Sequence, residues 1–264
     1  IIGQGTVARE LLEQIKDLDA VFIPVGGGGL FAGMSAYIKA VNPAIKVIAV
    51  EADDSACFNA ALKAGKPVDL DYVGSFADGV AVKRIGVETF RVGRKHCDEV
   101  ITVSSDAICA AMQDIFVSMR AISEPSGALA LAGIKKWCEQ TGETNKKLAG
   151  ILSGANLNFN TLRYVAERTA LGQKNEALFA VTIPEKPGSF KQFCEAINSR
   201  PITEFNYRFS SSSELAQIFV GIGLRNGEEE LMDVKKELTD AGYAFVDLSD
   251  DELAKVHLRY MVGG

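Results

Sequence analysis

The residues best placed to do chemistry are four glycines in a row, Gly26-Gly27-Gly28-Gly29. They follow the apolar run Ala20-Val21-Phe22-Ile23-Pro24-Val25 and precede Leu30, Phe31, Met34, Ile38 and Val41 at helical spacing. That order predicts a buried strand, a bend without side chains, and a helix start. At such a junction backbone N–H groups are free and the helix dipole is positive, so the bend suits an anion, most often a phosphate. The plain alternative is a flexible connector. A chemical alternative is a dinucleotide site. Gly27-Gly28-Gly29-Leu30-Phe31-Ala32 fits G-x-G-x-x-G/A, and Glu51 ends the next strand about 20 residues on, as an NAD fingerprint asks. No Gly-Lys-Ser/Thr follows the glycines, which excludes a P-loop.

Other reactive side chains are scattered. Cys57, Cys97, Cys109, Cys138 and Cys194 are odd in number and include no C-x-x-C pair. Reduced thiols in a cytosol fit better than a disulfide framework or a zinc site, and no metal is expected. His96 and His257 sit in polar surroundings and read as surface residues. The formal charge of −6, without Lys/Arg clusters, argues against nucleic acid and anionic membranes as partners. No apolar run approaches the length of a membrane span, and a cytoplasmic protein is expected. The chain opens at Ile1-Ile2-Gly3 and stops at Val262-Gly263-Gly264, and neither end reads as a natural terminus.

These residues need elements to hold them. Val7, Ala8, Leu11, Leu12 and Ile15 predict a first helix. Ala20–Val25, Lys46–Glu51, Glu99–Val103 and Lys147–Leu152 predict strands. Asp54 is placed as the cap of a helix through Leu62, ended by Gly65 and Pro67. Ser104-Ser105-Asp106 caps a helix carrying Ile108, Met112, Ile115, Phe116 and Met119. Glu124-Pro125 opens another, with Pro at its first position, and Thr161–Ala170 a further one. Near-continuously apolar strands alternating with helices indicate α/β architecture: a parallel sheet covered on both sides, with ligands beyond the carboxyl ends of its strands.

The pattern changes near residue 173. Ala177–Ile183 reads as a strand, a helix carries Phe190, Phe193 and Ile197, and Ile202–Phe209 and Leu215–Gly223 form a hairpin around Ser210–Ser213. Glu228–Ala241 is a helix and Tyr243–Leu248 a last strand. The order β-α-β-β-α-β is the α+β ferredoxin-like split unit. Residues 1–172 and 173–264 are therefore expected as separate domains, the second with its core in 177–248.

Five short segments occur in register: Gly3-Gln4-Gly5-Thr6, Gly26 to Leu30, Ala77-Asp78-Gly79-Val80-Ala81, Glu124-Pro125-Ser126-Gly127-Ala128 and Ser153-Gly154-Ala155-Asn156. Together they resemble the fold-type II pyridoxal-phosphate enzymes, and among them the biosynthetic threonine dehydratases. The second part resembles the ACT-like regulatory domain of those enzymes. The resemblance covers essentially the whole chain.

The resemblance implies pyridoxal 5'-phosphate as cofactor, with Gly26, Gly27, Gly28, Gly29 and Leu30 around its phosphate and Ser153 facing the pyridine nitrogen. Without it, Ser153 would read as a turn or cap serine. Glu124 and Asp78-Gly79 line the pocket by the same analogy; for Glu124 a first-turn carboxylate is the equal alternative. Glu51 is similar to a cation-binding carboxylate of some relatives, but Cys57 stands where a second carboxylate is expected, which leaves a divalent site without its ligand. The family's Schiff-base lysine, in a Ser-x-Lys motif on an early helix, has no counterpart here; Lys83 and the other lysines lie in a different context. No catalytic residue is therefore assigned. The implied activity is conversion of L-threonine to 2-oxobutanoate and ammonia, with isoleucine and valine as effectors and a homotetramer as the assembly, by a parent longer than this fragment. A second ACT-like unit in that parent stays open. An NAD-dependent dehydrogenase and a non-catalytic amino-acid sensor are the alternatives.

Overall fold

The structure, a computed structural model, describes residues 1–172, 175–208, 215–249 and 251. The chain divides into two compact units, Ile1–Thr169 and Ala170–Gly264.

In the first unit, β1 (Ala20–Pro24), β2 (Lys46–Ala52), β3 (Glu99–Val103) and β4 (Leu148–Gly150) form a parallel sheet in the order β3-β2-β1-β4. The helices are α1 (Ile2–Gln14), α2 (Gly29–Val41), α3 (Cys57–Ala64), α4 (Val87–His96), α5 (Ser105–Met119), α6 (Pro125–Thr141) and α7 (Phe159–Gly172), whose last three residues fall past Thr169. Every residue of β1 is buried, and every residue of β2 except Lys46. Alternate strand residues feed opposite faces, as the two-residue period of a strand requires. Phe22, Ile48 and Val50 join Ile108, Leu129 and Trp137 in one apolar cluster. Val21, Ile23, Val47 and Ala49 join Phe31, Met34 and Phe58 in the other. A sheet covered on both sides explains why its strands read as unbroken apolar runs.

Local chemistry sets the helix ends. The Ser104 hydroxyl accepts from the Ala107 amide at 3.3 Å and caps α5. Pro125 occupies the first position of α6, where no amide hydrogen is needed. Two expectations require correction. Asp54 does not cap α3: it lies in a 3-10 turn, Asp53–Ser55, and α3 starts only at Cys57. The fourth strand is shorter than Lys147–Leu152, because only Leu148–Gly150 pairs with β1. Phe116 and Met119 are 47% and 62% exposed, since the last turn of α5 lies beyond the buried stripe formed by Ile108, Met112 and Ile115.

The second unit contains β5 (Glu176–Pro184), α8 (Ser189–Ala196), β6 (Ile202–Arg208), β7 (Leu215–Gly223), α9 (Gly227–Asp240) and β8 (Ala244–Asp247). Its sheet is antiparallel in the order β6-β7-β5-β8, the arrangement of the split β-α-β-β-α-β unit. Phe179, Val181, Ile218 and Val220 from the central strands pack on Phe193, Val234 and Leu238 from the helices. Ser210–Ser213 and His257 lie outside the described residues.

Candidate functional site

Parallel pairing brings two of the sequence-predicted segments together. Phe22 of β1 stands opposite Gly150 of β4, and the Ile151 amide donates to the Phe22 carbonyl at 3.2 Å. The chain leaves both strands at their carboxyl ends, so the bend at Gly26 and the turn at Ser153 emerge side by side. Ligands of open parallel sheets sit at this edge.

The glycine bend is pressed against the protein on one side and open on the other. A Cβ at Gly26 would lie 2.9 Å from Val80 Cα. Gly28 has φ +85°, and a Cβ there would lie 2.9 Å from both Ile85 Cδ1 and Thr89 Oγ1. Glycine is required at both positions, the first by close backbone approach and the second by left-handed backbone as well. At Gly27 and Gly29 a Cβ would meet nothing within 4 Å. The N–H groups of Gly26 through Leu30 have no protein acceptor among the described residues. They adjoin the positive end of α2, which starts at Gly29. An anion with several acceptor oxygens fits this cradle, and the Cβ of any residue but glycine would enter it.

Two further segments meet around the same end of the sheet. Val80 backs Gly26. A Cβ on neighbouring Gly79 would lie 2.7 Å from Ser126 Oγ and 3.3 Å from Glu124 Oε1. The Glu124 amide donates to the Gly154 carbonyl at 3.1 Å, and the Asn156 amide donates to Glu124 Oε2 at 2.9 Å. Glu124 thus latches both sides of the Ser153 turn, a role the sequence does not show. It also leaves Gly154 no room: a Cβ there would lie 2.3 Å from Glu124 Oε1. Ser126 Oγ is buried and has no hydrogen-bond partner among the described residues. Ser153 itself is exposed. Gly3-Gln4-Gly5-Thr6 is not at the site. It forms the first turns of α1 and lets that helix approach α2, where a Cβ at Gly33 would lie 2.2 Å from the Ile1 carbonyl oxygen and 2.8 Å from the Gly5 nitrogen.

Glu51 turns away from the dinucleotide role. It is fully buried, and its two oxygens accept from the amides of Phe58 at 2.7 Å and Asn59 at 2.8 Å. It supplies the cap that Asp54 does not. A carboxylate held this way cannot meet ribose hydroxyls, and the NAD reading loses its second element. Burial pushes the Glu51 carboxyl up to about 7, against the opposing pull of the two amide bonds. Burial, with the adjoining Glu51 charge, pushes the Cys57 thiol up to about 12. Cys57 therefore keeps its proton and donates it to the Gly26 carbonyl at 3.5 Å. Among the described residues no cluster of three or more His, Cys, Asp or Glu side chains has the geometry to hold a metal.

The chain does contain the string Ser189-Phe190-Lys191, missed in the sequence reading. It opens α8 in the second unit, and Lys191 is 80% exposed with Glu195 at 3.9 Å. In the same unit a cavity of about 300 Å³ is lined by Ile183, Glu185, Ser189, Phe190, Phe205 and Tyr207, among others. The Tyr207 hydroxyl donates to Glu185, and the buried Ser189 hydroxyl has no partner among the described residues. No described helix is long and apolar enough to cross a membrane.

A strand, glycine bend and helix that form an anion cradle beside a serine turn define a class. Residues 1–154 match the family described as pyridoxal-phosphate dependent enzyme; the chain belongs to that family, and its cofactor is pyridoxal 5'-phosphate. Residues 167–258 match the C-terminal regulatory domain of threonine dehydratase. Over all 264 residues the chain is 60% identical to L-threonine dehydratase biosynthetic IlvA of Salmonella typhimurium and 61% identical to that of Escherichia coli, covering 51% of each. It thus spans about half the length of the curated relatives it matches. The processed form of threonine deaminase isoform 2 from Solanum lycopersicum is structurally similar, with TM-score 0.62 and 43% identity over 63% of this chain and 48% of that one.

Proposed function

We propose that this chain belongs to a biosynthetic threonine dehydratase that converts L-threonine to 2-oxobutanoate and ammonia, the first step toward isoleucine. The observation that carries the reading is the cradle of free amides at Gly26–Leu30, set beside the Ser153 turn by the pairing of β1 with β4. The identity to bacterial threonine dehydratases supports the choice of substrate.

In this reading the amides of Gly26, Gly27, Gly28, Gly29 and Leu30 hold the cofactor phosphate, and the dipole of α2 adds to its neutralisation. Ser153 donates to the pyridine nitrogen. A hydroxyl is a neutral partner, so the nitrogen need not carry a proton, which suits loss of a β-hydroxyl. Glu124 holds the Ser153 turn in place, and Gly79 leaves room beside it. When bound, the cofactor supplies the electron sink that acidifies the substrate Cα–H. The family's Schiff-base lysine has no matching position here, so turnover belongs to the longer polypeptide.

The second unit is the sensor for isoleucine, with valine opposing it. The cavity between Glu185 and Phe205 supports this: Glu185 suits an ammonium group, the unpartnered Ser189 hydroxyl a polar ligand atom, and Phe190 an aliphatic side chain. The assembly is a homotetramer in the cytoplasm; relatives in yeast and Arabidopsis are described as mitochondrial and chloroplastic.

The test is purification of the full-length polypeptide encoded at the same locus. It should carry the visible absorbance of pyridoxal phosphate and release 2-oxobutanoate from L-threonine, with inhibition by isoleucine. A colourless protein that gains no absorbance on soaking with the cofactor would refute the reading.

A further inference from the structure

We infer that Thr89 is a positioning residue for the phosphate cradle, acting from behind through the Gly27 carbonyl. The inference rests on the reading of Gly26–Leu30 as the phosphate loop. In a trans peptide the C=O of one residue and the N–H of the next point in opposite directions. Whatever holds a loop carbonyl on one face therefore aims the following amide at the other.

Three successive carbonyls of this loop are held on the protein side. The Gly26 carbonyl accepts from the Cys57 thiol of α3 at 3.5 Å. The Gly27 carbonyl accepts from Thr89 Oγ1 of α4 at 2.7 Å, with the Gly86 amide behind it at 3.4 Å. The Gly28 carbonyl accepts from the Ala32 amide at 2.9 Å. The amides of Gly27, Gly28 and Gly29 are accordingly turned toward the open face. These three holds differ in kind. The Ala32 bond belongs to α2 and forms with the helix. The thiol is a weak donor at long range. The Thr89 hydroxyl is the short, strong one, and it acts on the peptide plane between two glycines, where no side chain resists rotation. Thr89 Oγ1 also lies 3.0 Å from the Gly86 carbonyl, so its single proton is shared, with the shorter branch to Gly27. If that plane turned over, the cradle would lose the Gly28 amide and gain a carbonyl oxygen facing an anion.

The experiment uses the full-length polypeptide, stripped of cofactor, with Thr89→Val, Thr89→Ser and Thr89→Ala. Pyridoxal phosphate and inorganic phosphate are titrated in turn, and ³¹P NMR is recorded on the bound cofactor. A lost hydrogen bond with repulsion in its place corresponds to roughly a tenfold weaker Kd. Thr89→Val should show that loss for both probes and a displaced ³¹P resonance, with the apo-protein melting point lowered no further than one lost hydrogen bond accounts for. Thr89→Ser, which keeps the hydroxyl, should restore wild-type values. Should Thr89→Val fail to fold, Thr89→Ala removes the donor without adding an atom and must show the same loss. Kd values within twofold of wild type for the folded variant overturn the inference alone. A wild-type polypeptide that binds neither probe overturns the phosphate-loop reading and this inference together.

Discussion

Two alanine substitutions one residue apart should separate folding from ligand binding. Gly28 has φ +85°, and an L residue held in left-handed backbone costs about 1–2 kcal/mol. The added Cβ would also lie 2.9 Å from Ile85 Cδ1 and 3.0 Å from Thr89 Cβ. The end of Ile85 can swing aside but Thr89 Cβ sits on the α4 backbone, so crowding adds roughly 1 kcal/mol. Gly28→Ala should therefore destabilise the first unit by about 2–3 kcal/mol. Gly27 lies outside the positive-φ region, and its Cβ would meet nothing within 4 Å. Gly27→Ala should leave stability unchanged or raise it by about 0.4–1 kcal/mol through a less flexible unfolded chain. That empty space is the open face of the cradle, however. A methyl group there keeps an anionic oxygen from the neighbouring amides, and each charge-assisted hydrogen bond lost is worth about 1.5–3 kcal/mol, or roughly 10- to 100-fold in cofactor affinity. Urea unfolding can be followed by Trp137, the chain's one tryptophan, which is 3% exposed in the first-unit core. Cofactor affinity is read on the full-length polypeptide. The reasoning is refuted if Gly27→Ala costs stability while Gly28→Ala does not, or if Gly27→Ala binds cofactor as wild type does.

Three further outcomes follow from the same contacts. The Glu51 carboxyl titrates at about 7 in the folded protein against an ordinary value of 4.5. Between those pH values the folded state holds more protons than the unfolded one, so stability falls as pH rises through the window and is level above it. The contribution is about 3 kcal/mol; Glu51→Gln should flatten urea midpoints measured between pH 5 and pH 8, and an unaltered slope would count against it. Gly33→Ala places a Cβ 2.2 Å from the Ile1 carbonyl oxygen, which forces α1 off α2 at a cost of about 2–3 kcal/mol, and a wild-type urea midpoint would contradict that packing. Gly154→Ala drives a Cβ to 2.3 Å from Glu124 Oε1. It should cost more than about 1 kcal/mol alone and under about 0.5 in a Glu124→Ala background, where the space is free, so additive effects in the double-mutant cycle would sink the latch.

Most of the fold was legible because its signals are local. Apolar runs with turn residues at their ends mark β1 to β3, and Ser104, Pro125 and Gly65 mark helix boundaries by chemistry that depends on few neighbours. What the sequence hid was tertiary. Asp54 carries the right side chain for a cap, yet the cap comes from Glu51, seven residues before the amide it bonds. Phe116 and Met119 continue a helical stripe that the surrounding surface no longer covers. At the site, the glycine run and the Ser153 turn were readable as segments. Their adjacency follows from the pairing of β1 with β4 across more than a hundred residues, and no spacing rule contains it. Thr89 and Glu124 act through backbone atoms of other segments. Thr89 carried no motif at all, and the motif containing Glu124 could not distinguish a pocket wall from a latch.

Glycine makes this loop possible, but glycine alone would make it floppy. Each glycine fixed on folding loses more conformational freedom than another residue would, about 0.5–1 kcal/mol relative to alanine, and four occur in succession. If binding had to order them, that cost would be subtracted from the affinity for phosphate. The structure places it elsewhere. The backs of Gly26 and Gly28 are packed on Val80, Ile85 and Thr89, and the carbonyls of Gly26, Gly27 and Gly28 are bonded to Cys57, Thr89 and Ala32. These contacts are all made by the protein's own groups within the first unit, so the cost of ordering the loop is met by folding. Preorganised dipoles of this kind stabilise charge without rearranging. Conformational freedom and a rigid cradle are compatible here because the freedom is used to reach an unusual backbone path, and α3 and α4 then hold the loop to it.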